Sequence, residues 1–193
     1  MEIRDAHILV TGANRGMGRA LVDAAVRNGA ERVYAVARDT TSIARFSREP
    51  HVTTLLFDVT DPQQIEAAAT RVGRLDLLIN NAGVLEPADP ISADLALVER
   101  NLQVNFVGGL RVIRAFLPRL EAQHGSIVNM LTMASLASVP SMAVYSASKA
   151  AAYSMTQALR FQTGRTLCQR ARGVPGSRRY GHDPPPGYAE GRA

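Results

Sequence analysis

The segment VYSASKAA sets Tyr145 and Lys149 four residues apart, so on a helix the two side chains share a face. A phenol ordinarily titrates near pKa ~10, too high to serve as a base at neutral pH. A neighbouring ammonium favours the phenolate, and such a pair can pass a proton to or from a carbonyl oxygen. Taken alone, the spacing is equally that of an ordinary amphipathic helix with one Tyr and one Lys. Lys149 is, however, the only lysine in a chain that otherwise uses arginine.

A second stretch with chemical potential follows the first apolar run, HILV. It reads TGANRGMGRA and carries Gly12, Gly16 and Gly18. Gly12 suits a tight turn, Gly16 a close backbone approach to a pyrophosphate at a helix N-terminus, and Gly18 close packing of helix on sheet. The spacing is G-x-x-x-G-x-G, not G-x-G-x-x-G. Its place between a strand and a helix points to a nucleotide rather than to a flexible turn. The second strand ends in AVARD, where a dinucleotide site carries a carboxylate for a ribose 2′-hydroxyl or a cation for a 2′-phosphate. Arg38 stands there, and Arg15 lies in the glycine turn. Each alone reads as a solvated surface arginine. Together they form two guanidinium forks suited to one phosphate, so NADP(H) is expected over NAD(H). Asp39, the nearest carboxylate, falls one residue late for the ribose.

The elements that must position these groups alternate. HILV, RVYAVA, HVTTLLFDV, LDLLIN and GSIVNML read as strands, and their uninterrupted apolar character suits a sheet covered on both faces. Between them lie amphipathic helices. GMGRALVDAAVRNGA closes at Gly29; TDPQQIEAAATRV has Asp61 or Thr60 as cap and Pro62 in its first turn. A long helix is expected over Asp94–Leu120, and a last one from about Ala143. This order predicts an α/β fold, a Rossmann-like doubly wound parallel sheet with right-handed crossovers. The pattern fades beyond Arg160, giving two regions: a dinucleotide-binding domain over residues 1–160 and a tail over 161–193.

The net charge of +5 belongs mostly to that tail. Residues 1–160 hold 16 Lys and Arg against 15 Asp and Glu, and residues 161–193 hold 6 against 2. The body has no basic stripe interleaved with aromatics, which argues against a nucleic-acid surface. No apolar run approaches bilayer length, and the N-terminus lacks a signal peptide's apolar core. The single cysteine, Cys168, gives neither a disulfide framework nor metal-ligand spacing. A cytoplasmic chain with no membrane, metal or nucleic-acid partner is expected.

TGANRGMG, FDVT, NNAG, QVNFVG, GSIVNML and YSASK, in that order over residues 6–160, resemble the short-chain dehydrogenases/reductases. The resemblance implies an NAD(P)-dependent oxidoreductase that moves hydride between the nicotinamide and a small carbonyl or alcohol substrate. It implies that Gly12, Gly16 and Gly18 hold the pyrophosphate, that Asp58 and Val59 contact adenine, and that Asn80, Ala82 and Gly83 line the nucleotide. Tyr145 is then the proton donor and acceptor, Lys149 binds the nicotinamide ribose and lowers the tyrosine pKa, and Asn105 helps hold a water chain. The family's substrate-binding serine lies thirteen positions before the tyrosine. Here that position is Thr132, which keeps a hydroxyl but stiffens it; Ser135 is the neighbouring alternative. Individually, Asn80–Asn81 also reads as a turn, Asp58 as a cap and Asn105 as a satisfied core amide. Met133, Leu136, Val139, Pro140 and Met142 suggest an apolar substrate side or plain packing.

The family also implies a homo-oligomer and two further strands after the last helix, which the tail does not spell out. With codons chosen to suit, an adjacent-frame reading of SRRYGHD permits a family-like V-D-T-D-M. A frameshifted family C-terminus is therefore one expectation for residues 161–193, and a disordered basic arm the other. A catalytically impaired remnant or a nucleotide-sensing module remains the alternative to an active reductase.

Overall fold

A computed structural model describes residues 2–162. Strands β1 (His7–Val10), β2 (Arg32–Ala37), β3 (Val52–Leu56), β4 (Leu77–Asn80) and β5 (Ser126–Asn129) form one parallel sheet in the order β3-β2-β1-β4-β5. The chain therefore winds outward from β1 to β3, then crosses back to β4. That reversal opens a crevice between β1 and β4 at the carboxyl ends of the strands, where open α/β sheets bind ligands.

Both faces of the sheet are covered, which is why the strands read as continuous apolar runs. Neighbouring residues on β1 enter different cores. Leu9 joins Phe57, Ile65, Phe116 and Leu120 on one side, and Ile8 and Val10 join Val22, Ile43 and Phe46 on the other. Helices α1 (Gly16–Arg27) and α2 (Pro62–Thr70) begin where expected. Asp61 caps α2, its carboxylate accepting from Gln63 N at 2.9 Å and Gln64 N at 3.1 Å, with Pro62 opening the first turn.

The helix expected over Asp94–Leu120 is present but not uniform. It comprises α3 (Leu95–Leu102), a π turn over Gln103–Gly108, and α4 (Gly109–Ala122), with Asp94 as the cap. The widened turn brings Gly108 so close to Val59 that a Cβ there would lie 2.8 Å from Val59 Cγ2. Two short 3-10 segments, Thr41–Arg48 and Met133–Ser135, were not legible as elements. The last helix, α5, runs over Ala143–Gln162 and packs through Met155 and Leu159 on the α2–α4 side. Among the described residues β5 is an edge strand. The tail over 163–193 and any sixth or seventh strand lie outside the described residues.

Candidate active site

The glycine turn is bound to the loop after β4 through one buried threonine. Thr11 Oγ1 accepts from Asn81 N and Ala82 N, each at 3.0 Å. Asn81 Nδ2 returns the contact, donating to Thr11 O at 2.9 Å and Gly12 O at 3.2 Å. Gly12 has φ +66°, and a Cβ on it would lie 2.9 Å from Ala82 Cα. The two loops thus close on each other as only glycine allows.

Above them opens a cleft of about 1320 Å³, counting solvent in its mouth. Of the residues expected to bind a nucleotide, Gly12, Arg15, Gly16, Gly18, Arg38, Asp58, Val59, Ala82 and Gly83 line it. Asn14, Met17, Asn81 and Arg100 also line it and were missed. Asn80 does not face this cleft. In register with Asn129 of β5, it donates through Nδ2 to Asn129 Oδ1 at 2.9 Å. It borders instead a small adjoining cavity shared with Asn105, Met130 and Lys149.

The cleft's charged rim is partly self-neutralised. Arg38 Nη1 lies 3.9 Å from Asp58 Oδ2, while Asp58 Oδ1 accepts from Thr60 N at 2.8 Å and Thr60 Oγ1 at 2.7 Å. Asp39 turns to Ser42, and the hydrogen bonds from Ser42 hold its carboxyl below the ordinary range.

Tyr145 and Lys149 sit on α5 behind the cleft. Lys149 is 7% exposed, and its Nζ donates to Met130 O at 3.0 Å. A Cβ built on Gly83 would lie 3.6 Å from that ammonium, so the lysine, which lines the small adjoining cavity, ends just behind the Gly83 loop that borders the cleft. No carboxylate among the described residues pairs with it. Burial pushes it down to about 8. The expected lowering of Tyr145 is not seen: burial raises its phenol above the ordinary value. The ammonium stands 6.0 Å from the ring centre and is turned to a carbonyl, too far to outweigh desolvation.

Asn105 sits in the π turn with its amide fully engaged. Its Oδ1 accepts from Val84 N at 2.9 Å, and its Nδ2 donates to Val84 O and to Ser148 Oγ, each at 2.9 Å. Ser148 Oγ in turn donates to Tyr145 O at 2.7 Å, so the π turn grips the backbone that carries the tyrosine. Thr132 caps the 3-10 turn Met133–Ser135, which packs against α5. Its Oγ1 accepts from Ala134 N at 3.3 Å. Ser135 is buried and bonded to both the N–H and the carbonyl of Thr132. That leaves Thr132 as the hydroxyl whose proton has no acceptor among the described residues.

The burial of Lys149 has a measurable consequence. Between pH 8 and pH 10 the unfolded chain keeps this proton, since the ordinary value is 10.5, while the folded chain has released it. The unfolded state then binds more protons, so stability rises with pH across that window; below pH 8 the cost of burying the charge is fully present. The window stops at pH 10, where the phenols of Tyr34 and Tyr145, both raised by burial, begin to matter. Thermal melts should therefore show a larger gain from pH 8 to pH 10 in the wild-type chain than in Lys149→Met. Parallel curves would mean that the ammonium is solvated.

The chain is similar to known proteins in sequence and fold. The family model described as short chain dehydrogenase matches residues 6–170. The short-chain dehydrogenase ptmH of Penicillium ochrochloron is 35% identical over 161 residues, covering 80% of this chain and 59% of that protein. The D-erythrulose reductase of Gallus gallus is 33% identical over 167 residues, covering 85% of this chain and 68% of its own. Among solved structures, a short chain dehydrogenase from Burkholderia cenocepacia in complex with NADP superposes with a TM-score of 0.83 at 36% identity. That match covers 87% of this chain and 71% of the other. An NADPH-bound carbonyl reductase from chicken fatty liver gives 0.76 at 30% identity, covering 86% and 77%. The chain thus spans about three fifths of the length of ptmH. With the family model matching most of its length and fold and sequence identity agreeing, the chain belongs to the short-chain dehydrogenase family.

Proposed function

We propose that this chain carries the coenzyme-binding and proton-transfer machinery of an NADP(H)-dependent oxidoreductase acting on a small carbonyl or alcohol, in a homo-oligomer. The observation that carries the reading is Lys149: a buried ammonium with no counter-ion among the described residues, just behind the Gly83 loop of the cleft and one turn from Tyr145. Perturbed groups of this kind concentrate at functional sites.

The cleft suits the coenzyme. A side chain on Gly12 or Gly18 would wedge apart the loops and helix that frame the cleft, and Arg15 and Arg38 on its lining supply two cations for a 2′-phosphate. The nicotinamide, when bound, supplies or accepts a hydride. Everything else falls to the chain. Gly12, Gly16 and Gly18 hold the pyrophosphate at the N-terminus of α1. Lys149 holds the nicotinamide ribose, and Thr132 donates to the substrate oxygen. Tyr145, kept neutral near pH 7 by its raised pKa, gives that oxygen its proton during reduction. Asn105 holds α5 in place through Ser148 and helps retain the water that resupplies protons.

The test pairs nucleotide titration, followed by nicotinamide fluorescence, with NADPH-dependent reduction of a panel of aldehydes and ketones. Binding together with turnover supports the reading; binding without turnover favours a nucleotide-sensing module. Arg38→Ala should weaken NADPH by about 10–100-fold, the loss of one charge-assisted contact, and leave NADH unchanged. Equal losses for both nucleotides would remove Arg38 from the 2′-phosphate site.

A further inference from the structure

We infer that Ser42 sets the coenzyme preference of this cleft by holding the Asp39 carboxylate back from the adenosine ribose. The inference rests on the cleft being a dinucleotide site.

Among the described residues two carboxylates line the cleft, Asp39 and Asp58. Asp58 is accounted for by Thr60 and Arg38. Although one residue late for a ribose in the sequence, Asp39 lines the cleft beside Arg38, where a free carboxylate would accept from a ribose 2′-hydroxyl and repel a 2′-phosphate. Here both of its oxygens are engaged. Oδ1 accepts from Ser42 N at 2.9 Å, and Oδ2 accepts from Ser42 Oγ at 3.0 Å. The Ser42 hydroxyl also lies 3.1 Å from Asp39 O.

The residue doing the holding is itself fixed. Ser42 belongs to the 3-10 turn Thr41–Arg48, whose Ile43 and Phe46 are each 1% exposed in the core. Arg45 Nη1 ties the same turn to α1 through Asp23 Oδ2 at 3.2 Å. Asp39 is exposed, and the Ser42 hydrogen bonds are its main restraint, with smaller contributions from Arg38 and the backbone of Thr41. The carboxylate is thus parked on a rigid turn at the edge of the cleft, beside the arginine that would take the phosphate. A carboxylate at the end of β2 is thereby reconciled with a preference for NADP(H).

The experiment measures dissociation constants of NADPH and NADH by fluorescence for the wild-type chain, Ser42→Ala, Asp39→Ala and the double variant. Ser42→Ala removes the hydroxyl bond and leaves the backbone bond, so its effect is that of one hydrogen bond. The NADPH-to-NADH preference should fall about fivefold, with NADH gaining and NADPH losing. On the Asp39→Ala background the same serine change should do nothing, because the group it restrains is gone. An unchanged preference in Ser42→Ala would overturn the inference. So would an equal shift with and without Asp39, which would mean that the hydroxyl meets the phosphate directly. If the wild-type chain binds neither nucleotide, the dinucleotide reading itself falls, a result visible before any variant is compared.

Discussion

Replacing Tyr145 by Phe is expected to lower carbonyl reduction by about 10²–10⁴-fold, the range associated with a lost general acid. NADPH affinity and thermal stability should stay at wild-type values. The split follows from the geometry. Tyr145 is half-buried, and its hydroxyl has no partner among the described residues, whereas its backbone carbonyl is held by Ser148. Phenylalanine keeps the ring and the backbone contact and strands no buried donor or acceptor, so folding has nothing to lose. A tyrosine that merely packed would show no kinetic effect at all.

The direction of the pKa shift adds a second signature. Burial raises the phenol, so the acid form needed for reduction is fully populated through neutral pH, and reduction should be flat there. Alcohol oxidation needs the phenolate and should climb steadily towards pH 10. Oxidation that levels off near pH 7 would show that a bound coenzyme or substrate draws the pKa down. Unchanged reduction in Tyr145→Phe would remove the residue from the chemistry altogether.

What the sequence made legible was whatever depends on short-range pattern. All five strands could be read because a sheet covered on both faces demands unbroken apolar runs, and Ile8, Leu9 and Val10 are buried on alternate sides. The α2 start could be read because Asp61 and Pro62 act locally. The π turn could not. Gln103–Gly108 keeps a helical apolar pattern, and its widening accompanies contacts to distant residues: Asn105 with Val84 and Ser148, Gly108 with Val59.

The Asn80–Asn81 pair shows the same limit at a finer scale. Successive residues at a strand end point opposite ways, so only one of the two could face the glycine turn. The in-register pairing of Asn80 with Asn129 leaves that place to Asn81. In the sequence Asp39 falls one residue late for a ribose. Its engagement by Ser42 stayed hidden because the 3-10 turn that carries Ser42 has no periodicity to betray it.

Gly18→Ala is expected to damage both folding and coenzyme binding, and comparison with Gly16→Ala separates the two. A Cβ on Gly18 would lie 2.0 Å from Gly12 O and 2.5 Å from Asn81 Nδ2. Neither is the far end of a flexible side chain. Gly12 O belongs to a positive-φ turn, and Asn81 Nδ2 is bonded to Thr11 O and Gly12 O. To admit the methyl, α1 must lift from the turn, which breaks the Asn81 clamp that holds the β1 and β4 loops together. Overpacking against backbone belongs at the upper end of its usual cost, about 3 kcal/mol, or a fall of about 6–12 °C in Tm for a chain of this size. NADPH affinity should fall at least tenfold as the cradle opens.

Gly16 differs in kind. A Cβ there meets nothing within 4 Å, and the only penalty is its φ of +51°, about 1–2 kcal/mol. Gly16→Ala should therefore melt within a few degrees of wild type yet bind NADPH poorly, because its methyl projects where the pyrophosphate must approach. Equal melting temperatures for the two variants would contradict the close packing of α1 on the glycine turn. Undiminished NADPH binding by Gly16→Ala would place the pyrophosphate elsewhere in the cleft.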